Sequence, residues 1–181
     1  TDYLDLLLIH RPSPLMDADE IAETFLQLQK EGKVKYIGAS NFTPSQFELL
    51  NSRIPLVTNQ VEISAYRLAP FLDGTLDQCQ RLRLAPMAWS PLGSGKIFQS
   101  PPQDAQTHRL QNALHPIGQK YCVGYDTILL AWLLRHPARI IPILGTTHPD
   151  RFRSAMASLD LRLTDEEWFE IWKASSGEEI P

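Results

Sequence analysis

The chain has 181 residues, 43% hydrophobic and 21% charged, with a formal net charge of -4. That is an ordinary globular balance with material for a real core, and the acidic sign argues against a general nucleic-acid binder. Cys79 and Cys122 stand far apart and make neither a disulfide framework nor a metal site, so a reducing, cytoplasmic setting is expected. No apolar run reaches membrane-spanning length, and the first residues do not read as a signal peptide.

Residues 3–10, "YLDLLLIH", form a mostly apolar run, the pattern of a strand buried on both faces. In "DADEIAETFLQLQKEGK", Asp17 followed by Glu20 resembles a capping box. Ile21, Phe25 and Leu28 share one helical face, and Gly32 is a C-terminal stop. Residues 34–40, "VKYIGAS", read as a short buried strand. Thr43 caps a helix that starts at Pro44, with Phe47 and Leu50 on its apolar side. Residues 56–63 are a third strand. Residues 70–83 are a weak helix interrupted by Gly74. Residues 85–91 contain a fourth strand. A loop rich in proline and glycine is expected over 91–103, and long loops often carry function. Helices follow around 105–122 and over 126–137, the latter apolar nearly all round and therefore buried. Residues 139–144, "RIIPIL", are a fifth strand. Two last helices occupy 148–159 and 164–175, the second with a capping box from Thr164 and Glu167.

Strands alternating with helices predict an α/β fold with a parallel sheet and right-handed crossovers. A (β/α)8 TIM barrel and a doubly wound open sheet both meet that description. No G-x-G-x-x-G follows any strand, so the dinucleotide fingerprint of the open sheet is absent. Five strands make about five βα units, whereas a closed barrel needs eight. If the fold is a barrel, roughly three N-terminal units are missing before residue 3. The start inside a strand pattern, without methionine, fits a fragment. Such a piece leaves two open sheet edges, for which a second chain or a domain swap is the expected cover. In isolation it is expected to be poorly stable as a monomer.

In a barrel, chemistry sits at the C-terminal ends of the strands. The first strand ends in His10, the second in Ser40 and Asn41. The third carries Asn59, Gln60 and Glu62. The fourth ends in Trp89 and Ser90 and runs into "PLGSGK". The fifth runs into "GTTHPDR" and a helix start. This set suits a neutral heteroaromatic ring bearing a carboxamide, with phosphates beside it. The amides of Asn41 and Gln60 can donate to and accept from a carboxamide. Trp89 can stack on the ring. Thr146, Thr147 and free helix amides can meet a phosphate, with Arg151 adding a forked cation. Asn59 reads as structural and Glu62 stays unassigned. Trp132, Trp168 and Trp172 read as packing, and His108, His115, His136 and His148 show no metal spacing.

The segments "YLDLLLIHRP", "GKVKYIGASNF", "VTNQVEIS", "MAWSPLGSGKI", "AWLLRHP" and "IPILGTTHPDR" occur in the order found in the aldo-keto reductases, which the chain resembles over nearly its whole length. The resemblance is closest to bacterial putative oxidoreductases of that class. It implies that residues 1–181 are the C-terminal portion of one barrel domain. It further implies NAD(P)H-dependent reduction of aldehydes or ketones, with NADP(H) as cofactor and NAD(H) as the alternative. His10 matches the histidine that hydrogen-bonds the substrate carbonyl. Ser40, Asn41 and Gln60 match the nicotinamide-carboxamide site. Trp89 matches the stacking aromatic, more often tyrosine. Ser90, Leu92 and Gly93 match the loop along the pyrophosphate, and Thr146, Thr147 and Arg151 the 2′-phosphate region. No metal, nucleic acid or membrane partner is implied.

The chain departs from the family at the last phosphate segment, where Ile143 or Leu144 stands in place of a lysine. Ser154 and Ala155 stand where many members have glutamate and asparagine for adenine contacts. The family's catalytic aspartate, tyrosine and lysine lie on units before this chain starts, so the isolated chain is expected to be inactive. A non-catalytic nucleotide-binding barrel that regulates a partner is the alternative reading.

Overall fold

The computed structural model describes residues 1–179. Its strands are β1 (Leu4–Ile9), β2 (Val34–Ser40), β3 (Asn59–Glu62), β4 (Met87–Trp89) and β5 (Ile141–Pro142). They hydrogen-bond in chain order as one five-stranded sheet. β1 pairs with β2, and β2 with β3, in parallel. Strands that pair in sequence order with helical returns are the α/β pattern expected from the alternation. The chain divides into two compact units, and the division runs through β3 and β4. The first unit is Thr1–Val61 with Pro70–Met87; the second is Glu62–Ala69 with the chain from Ala88 on.

In the first unit, α1 (Ala18–Lys30) begins at Asp17, whose carboxylate accepts from the amides of Asp19 and Glu20. α2 (Pro44–Asn51) starts with a full capping box between Thr43 and Gln46. Both helices pack on one face of β1 and β2. Phe47, Leu50, Ile37 and Ile54 are fully buried there, with Leu7, Ile9, Ile21 and Phe25 against them. Strand alternation explains the choice: Leu7 and Ile9 share a face with Ile37 and Ala39 in register.

β1 is not buried on both faces as expected. Leu4 is exposed and Leu6 to Ile9 are half-buried, because β1 stands at one end of the strand order and only one of its faces meets the helices. The 70–83 helix is two helices, α3 (Ala69–Leu72) and α4 (Thr75–Leu82). Gly74 lies between them at φ 87°, a conformation that ends one helix before the next begins.

In the second unit, the segment expected as loop holds a 3-10 turn over Gly93–Phe98. α5 (Ala105–Tyr121) is capped by Asp104, α6 (Tyr125–Leu134) is buried from Thr127 to Leu133, and α7 (Pro149–Ala157) and α8 (Asp165–Ser176) follow. Trp132 and Trp168 stack with centroids 5.0 Å apart, and each indole N–H donates to the other's carbonyl, so these tryptophans do pack α6 on α8. β5 is shorter than the predicted strand because Pro142 brings no N–H to the ladder; its pairing continues as Ile143 N–H donating to the Ala88 carbonyl at 2.8 Å.

Cys79 is buried on α4 and Cys122 is exposed. Burial pushes the Cys79 thiol up to about 11. At pH 8 a thiol reagent should therefore modify Cys122 quickly and Cys79 only on unfolding. The unfolded chain releases the Cys79 proton first, so native stability should fall as pH rises from the ordinary thiol range through about 11. Two fast thiols in the native chain would contradict the packing of α4.

Candidate functional site

The sequence-predicted residues fall into two groups, one in each unit. In the first unit, His10, Ser40, Asn41 and Gln60 are joined by hydrogen bonds where β1 and β2 end beside the second residue of β3. Ser40 is buried, and its hydroxyl donates to the Gln60 carbonyl at 2.9 Å. The Asn41 backbone N–H donates to the same carbonyl at 2.9 Å. The Asn41 side-chain amide donates to the Ser40 hydroxyl at 3.0 Å and to the His10 carbonyl at 3.2 Å. His10 thus enters the network through its backbone, and its residue is exposed. Asn41 has φ 61°, in the left-handed region where asparagine is among the few tolerated side chains.

Asn59 is the brace expected of it. Its carbonyl oxygen accepts from the Phe42 N–H and its amide donates to the Phe42 carbonyl, which fixes the turn that follows β2. The Gln60 side chain turns toward the Met87 sulfur at 4.0 Å.

In the second unit, an open cleft of about 850 Å³ is lined by Trp89, Ser90, Leu92, Thr146 and Arg151. Its apolar wall comes from Pro91, Phe98, Leu130, Ile143 and Leu144. Gly93 and Thr147 are not among its lining residues: Gly93 is buried behind the loop and Thr147 is exposed.

The loop along the cleft has an unusual backbone. Ser90, Gly93, Ser94 and Gly95 all have positive φ, and the Gly93 and Gly95 amides donate to the Ser90 and Leu92 carbonyls. Each non-glycine residue in this conformation costs about 1–2 kcal/mol. Strain held in place at a cleft is a mark of a binding loop. What holds it is Tyr66. A Cβ on Gly93 would lie 2.2 Å from the Tyr66 ring, so only glycine fits. The Tyr66 hydroxyl donates to Thr107 at 3.1 Å, and burial raises its pKa. This phenol is a fixed packing group.

Opposite the loop, α7 starts after Thr146, whose hydroxyl accepts from the His148 N–H at 3.2 Å. No side chain caps the first turn of α7, which leaves its amides and its positive dipole end for an anion. Asp150, beside Arg151 in sequence, is paired with Arg153 at 2.5 Å. Sequence reasoning missed Asp126, Ser94 and Phe98 as lining residues. Asp126 reads as the start of a buried helix, and only the packing of α6 on α7 reveals that it faces the cleft. Among the described residues, no group of three His, Cys, Asp or Glu side chains is placed to hold a metal, and no helix is long and apolar enough to cross a membrane.

Residues 1–176 match the model of the aldo/keto reductase family. The chain is 48% identical over its whole length to the oxidoreductase YdhF of Escherichia coli K12. It is 46% identical to an uncharacterized oxidoreductase of Bacillus subtilis, YcsN. It is 43% identical, over 99% of its length, to a 6-dehydroglucose reductase of Agrobacterium fabrum. The chain spans about 60% of the length of these relatives. It also superposes, with a TM-score of 0.84 and 27% identity over 96% of its length, on 61% of a thermostable aldo-keto reductase crystallised with the inhibitor epalrestat.

The Tyr66 contact is open to a direct check. Gly93→Ala should cost about 1–3 kcal/mol beyond Gly95→Ala, because both residues have positive φ but only Gly93 has a ring behind it. Urea midpoints of the two variants measure the difference; equal midpoints would contradict the contact.

Proposed function

The chain belongs to the aldo/keto reductase family, and from that premise we propose that it carries the cofactor-holding part of an NAD(P)H-dependent reductase of aldehydes or ketones. The observation that carries this reading is the cleft of the second unit: a strained left-handed loop, an uncapped helix start and Arg151 around an apolar wall. Such a surface fits a flat ring followed by phosphates. Trp89 stacks on the nicotinamide. Ser90 and Leu92 follow the pyrophosphate along the loop, and Gly93 gives that loop its shape. Thr146, Thr147 and Arg151 take the 2′-phosphate, which makes NADP(H) the preferred form and NAD(H) the weaker one. Ser40, Asn41 and Gln60 hold the carboxamide; hydrogen bonds to Ser40 and to the His10 carbonyl set the Asn41 amide in place. The chain is read as the C-terminal portion of one barrel domain.

When bound, the nicotinamide supplies the hydride that reaches the carbonyl carbon. His10 orients the carbonyl oxygen. The alkoxide oxygen then needs a proton from a group in register with the hydride. Tyr3 precedes β1, Tyr36 lies within β2, and Tyr66 is committed to Thr107. None stands at a strand end beside His10. The chain alone is therefore expected to bind cofactor without turning it over. Since a relative at 43% identity is named a 6-dehydroglucose reductase, a sugar carrying an aldehyde at C6 is the first carbonyl to assay.

Two measurements test this. Trp89→Ala should weaken NADPH binding by about 1–3 kcal/mol through lost aromatic burial; unchanged affinity by calorimetry would reject the stacking role. The 181-residue chain should leave NADPH unoxidised in the presence of an ordinary aldehyde. Steady loss of the NADPH absorbance would contradict this and would require a proton donor within the chain other than these three tyrosines.

A further inference from the structure

The cleft contains one carboxylate that the reading above does not use. Asp126 lies in the first turn of α6, half-buried, and lines the cleft with Leu130 one turn further on. On α7, Arg151 lines it with Ala155 one turn further on. Each helix thus presents a charged group beside an apolar residue at i, i+4 spacing. Asp126 is held in place: one carboxylate oxygen accepts from the Ser154 hydroxyl at 2.7 Å, and Ser154 also meets the Thr127 hydroxyl at 3.1 Å. Neither neighbour is a cation, among the described residues no ion pair holds the carboxylate, and Asp126 lines the cleft. A carboxylate repels phosphate, so it does not serve the anion that Arg151 serves. On the dinucleotide reading its partner is an uncharged donor, and Leu130 and Ala155 give the cleft wall beside it an apolar lining that fits a flat ring.

We propose that Asp126 is a specificity-determining residue that accepts a hydrogen bond from the exocyclic amino group of a purine lying on Leu130 and Ala155. This rests on the reading of the cleft as a dinucleotide site. It makes the carboxylate the reader of the base and Arg151 the reader of the phosphate. A purine with a carbonyl in place of the amino group would turn an acceptor toward an acceptor and be rejected.

The test compares NADPH with its hypoxanthine analogue, in which a carbonyl replaces the amino group, by calorimetric titration of the chain. The wild type should bind NADPH about tenfold more tightly, the size of one hydrogen bond to a charged group. In Asp126→Ala that ratio should fall to near one. Ser154→Ala, which removes the tie to α7 and keeps the carboxylate, should preserve the preference. If Asp126→Ala fails to fold, Asp126→Asn answers the question: its amide can donate to the carbonyl base, so the ratio should fall to one or below. Equal binding of the two cofactors by the wild type, or a preference that survives in the Asp126 variants, overturns the assignment. A change confined to the NADPH-to-NADH ratio also overturns it, by placing the carboxylate at the ribose. Binding of neither cofactor by the wild type is a different result, which removes the dinucleotide reading itself and this inference with it.

Discussion

The cleft depends on the absence of one methyl group. Gly93 lies against the Tyr66 ring so closely that no side chain could stand there, and the loop from Ser90 to Gly95 takes its left-handed course from that contact. Tyr66 can act as a buttress because it is fixed in turn. Its hydroxyl bonds Thr107 on α5, and its own N–H donates to the Ser64 hydroxyl. The neighbouring Ala65 carbonyl accepts from Gln106 and from Ser175 on α8. The strain stored in the loop is therefore offset by packing on two helices, which holds the polar groups of the loop in place.

The first unit solves a related problem with hydrogen bonds. Ser40 and Asn41 sit where β2 ends, and Gln60 lies opposite Ser40 within β3. Two donors converge on the Gln60 carbonyl, and the Asn41 amide bridges to His10 and Ser40. Polar residues in such a network hold their geometry because losing any one bond leaves a partly buried partner unsatisfied. These contacts fix the Asn41 side chain, whereas Gln60 joins them through its backbone carbonyl and turns its side chain toward Met87.

Local signals in the sequence marked most of the elements. Thr164 closes the capping box that its spacing with Glu167 announces, Thr43 caps α2 as expected and does so through a box with Gln46, and the apolar run 127–133 is buried as its pattern requires. The failures have physical causes. The apolar residues of β1 indicate burial, but a strand at the end of the order has only one covered face. "RIIPIL" looks like a full strand, but Pro142 and the positive φ of Arg139 shorten it. Of the cleft's lining, Trp89 and Ser90 were legible from their place at a strand end, Thr146 and Arg151 from the segment after the fifth strand, and Leu92 from the family resemblance. Asp126 was not, because it lies in the first turn of a helix whose pattern speaks only of burial. Its position in the cleft is set by how α6 packs on α7, which no local pattern encodes.

Hydrogen exchange of the chain with and without NADPH tests most directly whether this cleft holds a dinucleotide. Binding should slow exchange in the segments that line the cleft, the loop from Ser90 to Gly95 and the start of α7 around Thr146 to Arg151, and leave α1 and the first turn of α8 unchanged. Saturating NADPH that protects neither cleft segment, or protects other surfaces instead, would contradict the account.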